Sequence, residues 1–358
     1  MLISYGMSIV GSSHVTKNSP CQDSHCYQVL SNGWVTAAVA DGVGSAKHSE
    51  IASKMACDIF IETCKEQITE DTKFSEAKKI IAEAYRKADL KIKEYVGELE
   101  DSITDYDTTL SAVIYDGRKL IYGHSGDGGI VALTYNGDYI KVTEPQKAED
   151  GICVIPLRAG ENHWEFGECE ADVASVLLAT DGVYDNFMPY LLKGQPVEFY
   201  IPLIRWFMDN NVIGITEQNR QEVEDSRRSF LCGDSCKSIT DDKTVLVVFN
   251  ADMSPKLKED SYYAEPDWSK LQDIWNRKAY PHLYKDKSDD FSENDFKENP
   301  SQNERTCSDE VETDSFQNIT KHSSGSDTQT NIPDNPVTDD TANGNQSKFF
   351  SIFKRHKK

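Results

Sequence analysis

Along the first 250 positions hydrophobic residues recur with two periods, and the two alternate in blocks. Residues 3–11, residues 24–30 and the run from Trp34 to Ala40 are short stretches of β-branched, small and aromatic side chains, which read as strands. Ser12 to Asp23, between the first two, reads as a polar loop. After Gly44 the period changes. Ile51, Met55 and Ile59 recur on one face with Ala52 and Ala56 beside them, and from about Phe74 to Leu99 a second stripe runs through Ala77, Ile80, Ile81, Ala84, Tyr85, Ala88, Ile92 and Val96. Both stripes predict amphipathic helices, which need a sheet to cover. Residues 108–115, 119–124, 129–135 and 139–143 then read as strands separated by Asp116-Gly117, Gly126-Asp127-Gly128-Gly129 and Asn136-Gly137, so an antiparallel meander is expected. Further strands are predicted at 152–157, 174–180 and 244–250, with helices at about 196–208 and 216–231. Helices and antiparallel strands in separate blocks give a layered α+β fold, and periodicity alone goes no further.

Beyond Asn250 the character shifts, and the chain divides into residues 1–250, an aromatic-rich extension at 251–284, a linker at 285–347 and a tail at 348–358. The extension holds Tyr262, Tyr263, Trp268, Leu271, Ile274, Trp275 and Tyr280, enough for a short helix that docks on its own domain in preference to a partner. The linker is rich in Asp, Ser, Asn, Thr and Glu, a composition expected to stay disordered. Phe349, Phe350, Ile352 and Phe353 stand among lysines in the tail, a pattern open to two readings: peripheral contact with an anionic membrane or acidic partner, or a solubilising end.

The net charge of −22 argues against a nucleic-acid groove, which needs a basic surface. Nine cysteines, an odd number scattered through apolar and loop positions, with no signal-peptide pattern, predict free thiols in the cytoplasm. Cys232 and Cys236 read as an ordinary loop pair in preference to half a zinc site, because no second pair stands at suitable spacing. No apolar run approaches the ~20 residues that span a bilayer.

The chemistry sits where strands end. The run before Asp41 stops at Asp41-Gly42, the run before Asp181 stops at Asp181-Gly182, and Asp241-Asp242 precedes the run Val245 to Phe249. One Asp-Gly is ordinarily a turn. Three acids, each joined to a core strand, suggest carboxylates converging on hard cations such as Mg²⁺ or Mn²⁺.

Taken in order, Gln22-Asp23, Val39-Ala40-Asp41-Gly42-Val43-Gly44, Thr108-Thr109, Gly126-Asp127, Leu178-Ala179-Thr180-Asp181-Gly182 and Asp241-Asp242-Lys243-Thr244 resemble the motifs of PP2C-type (PPM) metal-dependent protein serine/threonine phosphatases, nearest to the bacterial subgroup. The resemblance covers roughly residues 1–250 and implies a four-layer αββα sandwich of two antiparallel sheets flanked by helices. It implies hydrolysis of phosphoserine and phosphothreonine by a hydroxide bridging two Mn²⁺ or Mg²⁺ ions, with Asp41 as the bridging carboxylate and the Gly42 carbonyl as a further ligand. Asp181 and Asp241 are then expected to hold one ion and Asp23 the other, and Asp127 joins Asp181 at a third, weaker ion. Against this, Asp127 also reads as a plain hairpin aspartate beside Gly128-Gly129.

Several positions depart from the family pattern. The segment from Gly11 to Asp23 lacks the arginine that grips the substrate phosphate, leaving His14 or Lys17 for that role, with His14 preferred because it follows the first strand. Neither offers a guanidinium's two-pronged fork. Val43 stands where many eukaryotic relatives carry a histidine, and residues 144–172 fall where the family has a variable flap. The missing arginine motivates an alternative: a catalytically weak or inactive module that binds phosphoproteins. Expected partners are phosphoprotein substrates and the Ser/Thr protein kinase whose marks are reversed.

Overall fold

The computed structural model describes residues 1–149, 151 and 153–284; the predicted linker and tail, 285–358, lie outside the described residues. Among the described residues ten strands form: β1 (Leu2–Ile9), β2 (Ser24–Val29), β3 (Val35–Ala40), β4 (Leu110–Tyr115), β5 (Leu120–Ser125), β6 (Gly129–Thr134), β7 (Tyr139–Lys141), β8 (Glu165–Cys169), β9 (Val173–Ala179) and β10 (Lys243–Asn250). The helices are α1 (Ser12–Lys17), α2 (Ser49–Gln67), α3 (Ala77–Leu99), α4 (Asp181–Phe187), α5 (Ile201–Met208), α6 (Asn210–Ile213), α7 (Arg220–Cys232) and α8 (Trp268–Ala279). One sheet has the order β1-β10-β9-β6-β7, the other β2-β3-β4-β5-β8, and every pairing is antiparallel.

The strand sequences explain the layering. Every residue of β3 is buried, because its alternate side chains face two different apolar interiors. Ala38 and Ala40 meet the residues of α2 and α3, among them Ala52, Ala56, Phe60, Ile81 and Tyr85; small side chains here let the helices lie close. Val35, Ala37 and Val39 point the other way, to Ile130, Val176, Leu178, Leu246 and Val248 of the facing sheet. That sheet's outer face, with Tyr5, Val131, Leu177, Val247 and Phe249, packs on Tyr184, Phe187, Ile204 and Phe207 of α4 and α5. Three apolar interiors make four layers, helix–sheet–sheet–helix, as the resemblance implied.

Five sequence expectations are corrected. The meander expected over 108–143 is split into two hairpins, β4–β5 and β6–β7, which lie in different sheets, because the chain crosses from one sheet to the other at Gly126 to Gly128 instead of pairing β5 with β6. Ser12 to Lys17 is helical, held by bonds from Ser13 N to the Thr240 carbonyl (2.9 Å) and from Gly11 N to Asp242 (2.6 Å), long-range contacts that no local pattern signals. No strand forms at 153–157. Val154 makes one isolated bridge to Lys147, Leu157–Ala159 is a 3₁₀ turn, and the edge of the second sheet is instead β8, a partly exposed strand carrying two glutamates. Helix α5 starts at Ile201, with Pro202 in its first turn, rather than at 196. Helix α7 starts at Arg220 rather than 216, because Thr216 to Asn219 closes as a turn, with Thr216 N bonded to Asn219 Oδ1 at 2.7 Å.

Residues 251–284 lie on the helical layer beside α5. Tyr262, Tyr263, Trp268 and Leu271 pack against its interior. The Tyr262 ring stacks on Tyr139 (centroids 6.5 Å apart), the Arg205 guanidinium lies 3.6 Å over the Tyr263 ring, and the Tyr200 hydroxyl donates to Glu265 at 2.9 Å. Among the described residues no helix is long and apolar enough to cross a membrane.

Candidate metal centre

Strand register gathers the predicted acids at one end of the sandwich. Ser24 pairs with Ala40, so Asp23 and Asp41 leave β2 and β3 side by side. Ala179 is opposite both Gly129 and Val245, which brings the Asp127 turn, Asp181 and the Asp241-Asp242 pair around the end of β9. Carboxylate oxygens of Asp41, Asp127 and Asp181 lie within 4.8 Å of one another, and among the described residues this is the one cluster of three or more metal-capable side chains.

Each acid is held by specific local structure. The backbone of Asp41 is fixed three times: its N–H donates to Thr109 Oγ1 (2.8 Å), and its carbonyl accepts from Thr109 N (2.8 Å) and Thr108 Oγ1 (2.9 Å). Gly42 is a packing requirement as much as a chemical one, since a Cβ there would sit 2.7 Å from the Gln22 carbonyl oxygen. Gly126 turns the chain with φ +123°, a region that favours glycine, and so presents Asp127. Asp181 opens α4, at the positive end of the helix dipole.

Asp23 and Asp241 flank the trio without belonging to it. Buried Asp23 accepts from the Thr180 hydroxyl at 2.7 Å. Asp241 Oδ1 accepts from Asp242 N at 2.9 Å. Asp242 faces the other way: its carboxylate accepts from Gly11 N and Gln22 N, both at 2.6 Å, and from His14 Nδ1 at 2.9 Å. It ties α1 and the approach to Asp23 onto β10. His14 is buried in this brace, outside the carboxylate trio. Asp242→Ala leaves two buried amides and a ring nitrogen unpartnered, so chemical denaturation of the metal-free protein is expected to show a loss of about 3 kcal/mol, with Asp242→Asn in between.

The electrostatics follow from crowding. Burial, then the charges of Asp23, Asp181 and Asp241, push the Asp41 carboxyl well above the usual carboxylate range. Burial raises Asp23 to about 8 against the hydrogen bonds that favour its charged form. Asp127 rises to about 6, from burial and then Asp181, with Lys147 opposing. Asp241 is raised in the same way. Such a site carries more negative charge than the fold neutralises. An all-oxygen donor set with that excess suits hard divalent cations and gives soft metals no thiolate or imidazole in the trio.

Two participants escaped the sequence reading. Asp185 lies four residues after Asp181 on α4 and is raised to about 6 by burial and by Asp181. The i,i+4 spacing from a predicted ligand was the available signal. The second is Lys147 of the flap, whose Nζ stands 3.7 Å from Asp127 Oδ2. Nothing in the local sequence marks it. Arg158, also of the flap, forms a two-pronged pair with Asp107, next to Thr108.

The family profile described as "Protein phosphatase 2C" matches residues 10–212, more than half of the chain. Among solved structures, a bacterial serine phosphatase superposes with a TM-score of 0.52 at 11% identity, over 72% of this chain and 100% of that one. The serine/threonine phosphatase Stp1 from Staphylococcus aureus gives 0.51 at 13% identity, over 70% and 95%. At such identities the likeness is one of fold. No curated protein matches the sequence.

Proposed function

Since this chain belongs to the protein phosphatase 2C family, whose enzymes are protein-serine/threonine phosphatases, we propose that it hydrolyses phosphoserine and phosphothreonine in proteins with Mn²⁺ or Mg²⁺ at the carboxylate cluster. The observation that carries the reading is the convergence of Asp41, Asp127 and Asp181 within 4.8 Å, where burial and neighbouring carboxylates raise Asp41 and Asp127 above the ordinary carboxylate range. Residues 1–250 form the phosphatase domain in this reading, and 251–284 an extension docked on it.

Asp41 and the Gly42 carbonyl would help hold two ions, Asp181 and Asp241 contributing to one and Asp23 to the other, and Asp127 with Asp181 would hold a weaker third. When bound, the ions supply charge neutralisation and the activation of water that phosphate monoester hydrolysis demands. The chain's own part is to keep the acids in place. Thr108 and Thr109 fix Asp41, Thr180 orients Asp23, and Asp242 holds the segment leading to Asp23. With its Nδ1 bonded to Asp242, His14 has Nε2 left for a substrate phosphate. The substrates are phosphoproteins marked by a Ser/Thr kinase in the cytoplasm.

Phosphate release from a phosphothreonine peptide is expected to need Mn²⁺ or Mg²⁺, to fall to background in EDTA and to return on adding metal back. Full rates in EDTA would overturn the proposal. Tight phosphopeptide binding with no release at saturating Mn²⁺ would make the chain a binding module instead.

A further inference from the structure

The flap is stitched to the turn that carries Asp127. Gln146 donates its amide to the Gly126 carbonyl at 2.7 Å, and its side-chain oxygen accepts from the Gly126 amide at 3.4 Å. The next residues close a small ladder: Ile155 N donates to the Gln146 carbonyl (3.2 Å), Ala148 N to the Cys153 carbonyl (2.8 Å), and Lys147 bridges Val154. Backbone bonds on both sides therefore set the position of Lys147. Its ammonium stands 3.7 Å from Asp127 Oδ2, and its charge also acts on Asp185. Two other basic side chains near this end of the sandwich already have partners: His14 is bonded to Asp242 and Arg158 to Asp107.

We propose that the Lys147 ammonium is a built-in competitor for a divalent cation at the Asp127 corner of the carboxylate cluster. This rests on the metal-centre reading above. A hydrated divalent ion and an ammonium both neutralise Asp127, and two cations held a few ångströms apart at one carboxylate repel each other, so binding of either weakens the other. The Lys147 side chain is 43% exposed, so water screens the pair and the lysine yields to a metal instead of excluding it. Among the described residues no cationic side chain is paired with Asp41 or Asp181, whereas Lys147 is paired with Asp127. Occupation of that corner is accordingly graded: the other positions fill first, and the Asp127 position fills only when the metal concentration is high enough to displace the ammonium.

Isothermal titration of the full chain with Mn²⁺, at fixed pH and ionic strength, tests this without an activity readout. Lys147→Gln is expected to tighten the weakest Mn²⁺ by about five- to tenfold, the size of one partly screened unit charge a few ångströms away. Lys147→Glu should tighten it further, and Lys147→Arg should leave it within about twofold of wild type, since the charge is kept. Asp127→Asn should abolish the weak phase, and adding Lys147→Gln to it should then change nothing. Unchanged Mn²⁺ constants in both Lys147→Gln and Lys147→Glu would overturn the role of Lys147 and leave the metal centre standing. A wild-type protein that binds no Mn²⁺ at all would overturn the metal-centre reading itself.

Discussion

Asp41→Asn is expected to cut Mn²⁺-dependent phosphate release at least about a thousandfold, or ~4 kcal/mol of barrier, while leaving the fold intact. The two effects separate because the side chain and the main chain of Asp41 have different tasks. Its carboxylate lies within 4.8 Å of those of Asp127 and Asp181, whereas its backbone is bonded to Thr108 and Thr109. Asparagine keeps the shape and the backbone bonds but removes the charge that a pair of divalent ions would share. In EDTA the variant should be at least as stable as wild type, since one member of a mutually repelling group has been neutralised. Phosphopeptide turnover and thermal unfolding in EDTA, measured on the same preparation, check both halves. Retention of more than a tenth of wild-type activity would remove Asp41 from the metal centre.

Stability should depend on pH and metal together. Burial and mutual repulsion raise Asp23 to about 8 and Asp127 and Asp185 to about 6, above the ordinary carboxylate value. These groups hold protons in the folded protein that the unfolded chain has already released. The folded state therefore binds more protons between about pH 4 and pH 8, and the metal-free protein must lose stability as pH rises through that window. Divalent cations neutralise the same carboxylates once they ionise. At about 100-fold excess over its dissociation constant an ion adds about 2.7 kcal/mol, or roughly 5–10 °C for a domain of this size. The melting temperature in Mn²⁺ minus that in EDTA should consequently be near zero at pH 5 and reach that range by pH 8. A gap that stays flat or shrinks with rising pH would mean that the cluster is not where the metal acts.

The sequence carried the elements well wherever one residue's neighbours along the chain are also its neighbours in space. The stripes of α2 and α3, the continuous buried run of β3 and the turn dipeptides within the β4–β5 and β6–β7 hairpins each rest on local sterics and a local pattern, and these elements formed at or close to the expected positions. The strand-end aspartates were legible for the same reason, because a buried apolar run that stops at Asp-Gly marks the edge of a sheet. Misread segments were those whose conformation is held from far away. Helix α1 is fixed by Thr240 and Asp242, and β8 is a strand only because β5 offers it an open edge.

From the chain alone, then, came which residues carry carboxylates at strand ends and that helices must cover a sheet, since composition and period decide burial, while the two-sheet sandwich was implied by the family resemblance. Tertiary structure alone decided which acids meet. Antiparallel register set Asp41, Asp127 and Asp181 together, put Asp23 and Asp241 at their flanks, turned Asp242 away to brace His14, and drew Lys147 in from the flap. Those relations join residues up to 228 positions apart. Coulomb interactions and hydrogen bonds act over ångströms of space, and distance along the chain does not encode them.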